Sequence, residues 1–216
     1  MEINKYIDHT VLKATASEDD IIALCEEARE YEFFSVCVNS AYVPLAKKNL
    51  SGSKVKVCSV VGFPLGAMSS EAKIFEAQQA VKDGAEEIDM VMNIGELKSR
   101  NYTKVEDEIA DIKKAIGELV LKVIIETCYL TPQEITLASE IAVKAGADFV
   151  KTSTGFGTDG ARMENIDLMK KAVNGEAKIK ASGGIKNLDT ALSYIEAGVE
   201  RIGTSSGVSI VNELKK

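Results

Sequence analysis

Histidine is nearly absent from this sequence: His9 is the only imidazole in 216 residues. Histidine-rich metal sites are therefore excluded, and a Ser-His-Asp triad would have to use His9 itself. The four cysteines, Cys25, Cys37, Cys58 and Cys128, are widely spaced and include no Cys-x-x-Cys pair. That argues against a zinc site or a disulfide framework and predicts a reducing compartment. No apolar run approaches the ~18 residues of a membrane span. The opening residues, Met1 to Lys5, lack the charged-then-apolar pattern of a signal peptide. The expected location is the cytoplasm, with no membrane partner. Basic blocks are missing too, and the net charge is -7, so nucleic acid is not an expected partner.

What is present is a regular alternation of element types. Apolar runs of strand character recur near residues 7–12, 33–38, 54–62, 88–92, 119–126, 149–151, 179–182 and 202–206. Segments of helical period lie between them. Tyr102, Val105, Ile109, Ile112 and Ile116 are three and four apart, which predicts an amphipathic helix. Ser17 with Asp20, and Thr131-Pro132-Gln133-Glu134, read as helix starts. Strands joined by crossover helices run parallel. Eight such units predict one domain over residues 1–216, an α/β fold of the closed (β/α)8 TIM-barrel type. The alternative, a doubly wound open sheet, would want a Gly-x-Gly-x-x-Gly after its first strand; residues 33–43 hold no glycine.

A weak repeat supports the barrel. Helices end at Gly84, Gly146 and Gly198, and the fifth residue after each glycine is Asp89, Lys151 and Gly203. Inward side chains of a barrel stack in layers drawn from alternate strands. Asp89 and Lys151 are thus expected at one height, with an empty place opposite at Gly203. If Glu32 aligns with those glycines, Cys37 joins the same layer; otherwise Cys37 reads as an ordinary core residue.

Lys151 ends a buried-looking strand and precedes Thr152, Ser153, Thr154 and Gly155. A buried lysine is costly unless paired or neutral. It is either half of a structural ion pair with Asp89 or an amine kept free to attack a carbonyl. Lys180, on the neighbouring strand, favours the second reading, because like charges and burial both favour a neutral amine. Lys151 is the candidate nucleophile, Lys180 the persistent cation, and Asp89 the balancing charge and proton carrier. Gly183, Gly184, Ser205 and Ser206 follow the last two strands, where barrels often bind phosphate through backbone N–H groups. Each alone is equally an ordinary turn. Asp8 is either a cap or surface turn, or a hydrogen-bonding partner for a substrate hydroxyl. Thr154 and Gly155 fall on the substrate side of the loop past Lys151.

Taken together, Tyr6-Ile7-Asp8-His9-Thr10, Ser35-Val36-Cys37-Val38-Asn39, Val61-Gly62-Phe63-Pro64-Leu65-Gly66, Glu87-Ile88-Asp89-Met90-Val91, Phe149-Val150-Lys151-Thr152-Ser153-Thr154-Gly155, Lys180-Ala181-Ser182-Gly183-Gly184-Ile185 and Gly203-Thr204-Ser205-Ser206 resemble the deoxyribose-phosphate aldolase family. The matching segments span nearly the whole chain in order. The resemblance implies a TIM barrel acting on a small phosphorylated sugar, with Lys151 forming the Schiff base, Lys180 as the second lysine and Asp89 as the proton-relay carboxylate. It implies no metal and no organic cofactor, and it is compatible with a homo-oligomer, a dimer or a tetramer. Two features differ. The sequence reaches Lys216 without the tyrosine-ended tail of some members, and Thr158-Asp159-Gly160-Ala161-Arg162 carries charges where a glycine and a hydroxyl are expected. The rivals are another Schiff-base sugar-phosphate aldolase or transaldolase-like barrel, and a phosphate-binding barrel without catalysis.

Overall fold

The computed structural model describes residues 2–214, so the chain ends read above, Met1 and Lys216, lie outside the described residues. Eight parallel strands close into a barrel in sequence order. They are β1 (Ile7–Val11), β2 (Ser35–Val38), β3 (Lys56–Val61), β4 (Glu87–Val91), β5 (Val120–Ile124), β6 (Phe149–Lys151), β7 (Lys178–Ser182) and β8 (Arg201–Thr204). The helices around them are α1 (Glu18–Glu30), α2 (Val43–Asn49), α3 (Ser70–Lys82), α4 (Ile94–Lys98), α5 (Tyr102–Ile116), α6 (Pro132–Lys144), α7 (Met163–Val173), α8 (Leu188–Glu196) and α9 (Gly207–Glu213). The (β/α)8 expectation holds. Only α4 was unforeseen; its five residues are too few to show a period. Among the described residues no helix is long and apolar enough to cross a membrane.

Local chemistry explains the starts and stops. Both expected capping boxes form, at Ser17 with Asp20 and at Thr131 with Glu134. The repeat also proves real. Ala85, Ala147 and Val199 each donate a backbone N–H to the carbonyl six residues' span back, at Ala80, Ala142 and Tyr194. That is the Schellman closure, which puts the residue between in the left-handed region. Gly84, Gly146 and Gly198 occupy it with positive φ. Phe33 closes α1 on Ala28 in the same way, and Glu32 takes the glycine's place at φ 51°. The alignment of Glu32 with the glycines therefore holds.

Successive strand residues face opposite sides. Outward residues such as Val36, Ile88, Val123, Val150 and Ile202 join the large apolar core between strands and helices. The inward residues make three tiers of four, drawn from even, odd and even strands. The lowest is Ser35, Glu87, Phe149 and Arg201; the next Asp8, Cys58, Lys122 and Lys180; the uppermost Cys37, Asp89, Lys151 and Gly203. Barrel interiors of this kind are usually filled by branched aliphatics. Here seven of the twelve places hold ionisable acids or bases other than cysteine, all buried.

Candidate active site

The upper tiers meet at Asp89. Its Oδ2 accepts hydrogen bonds from Lys151 Nζ and Lys180 Nζ, each at 2.7 Å. Its Oδ1 accepts from Lys122 Nζ at 2.7 Å and from Cys58 Sγ at 3.1 Å. Lys180 also contacts Asp8, and Lys122 reaches Glu87 at 2.6 Å. Arg201 bridges the tiers below, paired with Asp8 and, at 2.8 Å, with Glu87. Buried charges persist only when paired and hydrogen-bonded in this way.

The electrostatics follow from the packing. Burial alone would raise Asp89, but Lys122, Lys151 and Lys180 outweigh it and hold the carboxyl well below its usual range. Asp8 is likewise held low against its burial, by Arg201, Lys180 and Lys122. Burial pulls Lys180 down, yet Asp8 and Asp89 together keep it above the ordinary lysine value. Lys122 behaves the same way, raised by Asp89, the Cys58 thiol and Glu87. Both are therefore fixed cations. The cluster holds four bases, Lys122, Lys151, Lys180 and Arg201, against three carboxylates, Asp8, Glu87 and Asp89. One positive charge is left over. Lys151 touches one carboxylate, whereas Lys180 and Lys122 touch two or more, and Lys151 alone of these lysines borders the open cavity.

That cavity, of about 660 Å³, opens at the C-terminal ends of the strands. Lys151, Thr154 and Gly155 line one side, and Gly183, Gly184, Ser205 and Ser206 the other. Gly183 and Gly184 have φ of 86° and 79°, a backbone that L side chains rarely adopt. The Ser206 N–H donates to Thr204 Oγ1 at 2.9 Å, so that donor is already engaged. The charged segment beyond β6 folds on itself. Asp159 pairs with Arg162 and takes the Gly160 N–H at 2.8 Å, while Ala161 N–H donates to the Gly183 carbonyl at 3.1 Å.

Several expectations need adjusting. The place opposite Asp89 at Gly203 is not empty: a methyl group there would stand 3.1 Å from Lys180 Cε and 3.0 Å from Ser182 Cβ. Asp8 is neither a cap nor a surface turn. It is fully buried on β1, accepts from Ser35 Oγ at 2.7 Å, and like Cys37 takes no part in the cavity wall. Cys37 does lie in the Lys151 tier, against Cys58. Cys37, Cys58 and Asp89 converge closely enough to suggest a cation site. Lys122 Nζ, 3.4 Å from Cys58 Sγ and bonded to Asp89, already supplies the positive charge there. Lys151 does form the ion pair with Asp89, and Lys180 lies fully buried beside it.

Sequence reading missed Lys122, Glu87, Arg201 and Glu126. Three of them had a signal: Glu87 and Arg201 stand two residues before Asp89 and Gly203, and Lys122 interrupts an apolar strand.

Comparison with known proteins identifies the family. The sequence profile of the DeoC/LacD family aldolase matches residues 3–213. This chain belongs to that family. A deoxyribose-phosphate aldolase of Finegoldia magna is 58% identical over 211 residues, 98% of this chain and 99% of its own length. One from Clostridium tetani is 53% identical over 216 residues, the whole of both chains. Among solved structures, a tetrameric deoxyribose phosphate aldolase from Aeropyrum pernix superposes with a TM-score of 0.90 at 32% identity, covering 99% of this chain and 91% of that one. As a DeoC/LacD aldolase, the chain is an enzyme that makes or breaks a carbon–carbon bond, and its lysine-lined cavity is where that chemistry would be housed.

Proposed function

We propose that this protein cleaves 2-deoxy-D-ribose 5-phosphate reversibly to D-glyceraldehyde 3-phosphate and acetaldehyde, through a Schiff base on Lys151, as one catalytic unit of deoxyribonucleotide catabolism in the cytoplasm. One observation carries the role assignment: Lys151 Nζ borders the cavity and shares a single carboxylate oxygen of Asp89 with the fixed cation Lys180. A base cluster with one charge too many is relieved when one ammonium gives up its proton, and a free amine is what a Schiff base requires.

The steps follow. The Lys151 amine adds to the C1 aldehyde of the open-chain sugar phosphate, and the carbinolamine expels water to leave an iminium. A proton leaves the C3 hydroxyl, through a water, toward the Asp89 carboxylate, with the Lys180 cation beside it. Its electrons form the C3 carbonyl, the C2–C3 bond breaks, and that pair enters the iminium as an enamine. Glyceraldehyde 3-phosphate departs. Protonation of the enamine at C2 and hydrolysis release acetaldehyde and restore the amine. Asp8 anchors Lys180 from below, and Cys37 packs the apolar wall beside Asp89. Gly183, Gly184, Ser205 and Ser206 hold the phosphate, with Thr154 and Gly155 facing the carbon chain between. Assembly with copies of itself is part of this reading, as for the tetrameric relative.

Borohydride reduction in the presence of acetaldehyde, followed by peptide mass mapping, tests the assignment. The expected product is a two-carbon adduct on Lys151. An adduct on Lys180, or none under turnover conditions, would overturn it. A ketone donor replacing acetaldehyde at equal efficiency would point to the transaldolase-like alternative.

A further inference from the structure

Glu126 is a buried carboxylate that the steps above do not use. It follows β5 directly, with 1% of its surface exposed, and its backbone is left-handed at φ 51°, ψ 68°. A non-glycine residue there is uncommon and holds only when its surroundings impose it. The surroundings are plain. The carboxylate accepts the Thr154 backbone N–H at 3.2 and 3.3 Å, the Thr154 hydroxyl, and the Cys128 thiol at 3.8 Å. None of these partners is a cation, and burial raises the carboxyl above its ordinary value. Gly157 closes over it: a methyl at Gly157 would stand 2.6 Å from Cys128 Sγ and 3.2 Å from Glu126 Cδ.

Thr154 is the partner that matters, because Thr154 lines the cavity and Glu126 does not. A threonine hydroxyl has one proton to give and two lone pairs to offer. The proton goes to Glu126, and one lone pair takes the Phe156 N–H at 3.0 Å. One lone pair remains. The hydroxyl can therefore only accept a hydrogen bond from a molecule in the cavity.

We infer that Glu126 is a positioning residue that fixes Thr154 as an obligate acceptor, so that the site selects substrates carrying a hydroxyl donor between the reacting carbon and the phosphate. This rests on the function proposed above. In that substrate the C3 hydroxyl loses its proton during cleavage, while the C4 hydroxyl keeps its proton throughout. The C4 hydroxyl is thus the donor that an acceptor-only wall can hold from start to finish. An aldehyde acceptor lacking that hydroxyl would leave the Thr154 lone pair unpaired in a dry site, which costs binding.

The test runs the enzyme in the synthetic direction, with acetaldehyde as donor. D-glyceraldehyde 3-phosphate is compared with 3-oxopropyl phosphate, which lacks only the hydroxyl in question. The unaltered enzyme should prefer the first by at least roughly tenfold in kcat/KM, the scale set by one buried hydrogen bond. Glu126→Gln and Thr154→Val should each lose most of that preference, and the double variant should lose no more than Thr154→Val alone. Borohydride capture of acetaldehyde on Lys151 should remain intact in Glu126→Gln. Equal losses for both acceptors in Glu126→Gln, or additive losses in the double variant, would overturn the inference. So would a Glu126→Gln protein that no longer captures acetaldehyde, since that marks a structural role. An unaltered enzyme that captures nothing on Lys151 would instead sink the proposed function, and this inference with it.

Discussion

At the residue scale, Asp89 is the hub, since three lysines converge on its two oxygens. Removing one of them changes the charge count. Lys180→Leu leaves three bases against three carboxylates, so the excess charge that favours a free amine disappears. The rate should fall by orders of magnitude at neutral pH and recover in part as pH rises. Lys151→Leu should be inactive at every pH. If Lys180→Leu keeps the unaltered pH–rate profile, merely scaled down, then Lys180 acts on protons or substrate and the charge count is irrelevant. Asp89 and Lys151 were legible in the sequence because a repeat of fixed spacing marked their tier, and Lys180 because it stands on the strand beside Lys151. Lys122 and Arg201 left only a partial signal: their place in a strand shows in the sequence, but whether such a charge points to the barrel axis or to solvent is decided by the closed ring.

At the element scale, the segment after β6 and the turn after β7 press together. Gly160 has an ordinary backbone, so its need for glycine is steric: a methyl there would collide with the Gly183 carbonyl oxygen. Gly160→Ala should push the Gly183 turn out of place and raise KM for the phosphorylated sugar by about tenfold or more, as a misplaced binding group does. The unphosphorylated sugar should be affected far less. Equal changes for both would show that this turn does not grip phosphate. The charged residues Asp159 and Arg162, conspicuous in the sequence, satisfy each other and leave the contact to the glycine between them. Pairwise satisfaction of that kind is invisible to spacing rules. The strands and caps, by contrast, follow from local periodicity and came out close to their expected bounds.

At the scale of the whole molecule, the ionic interior makes stability depend on pH. Asp8 and Asp89 have folded-state values below those of an unfolded chain. Their contribution is present above about pH 4, the ordinary aspartate value, and is lost as pH falls further. Lys122 and Lys180 are raised, so theirs is present below roughly pH 10 and is lost only as pH climbs through the raised values. Melting temperature should therefore drop steeply between about pH 4 and 2, with an alkaline decline beginning at roughly pH 10. A melting temperature that stays flat from pH 5 to below pH 3 would contradict the paired state of both aspartates.

The Asp8–Arg201 pair joins the first strand to the last, 193 residues apart. A growing chain presents Asp8 long before its guanidinium partner, which comes 193 residues later. Until β8 is released, the growing ring has an open seam, and Asp8 and Glu87, facing its axis, lack their guanidinium partner. The barrel thus cannot shut before residue 201 is made, and a nascent chain stalled short of it holds strands and helices with no closed interior to settle into.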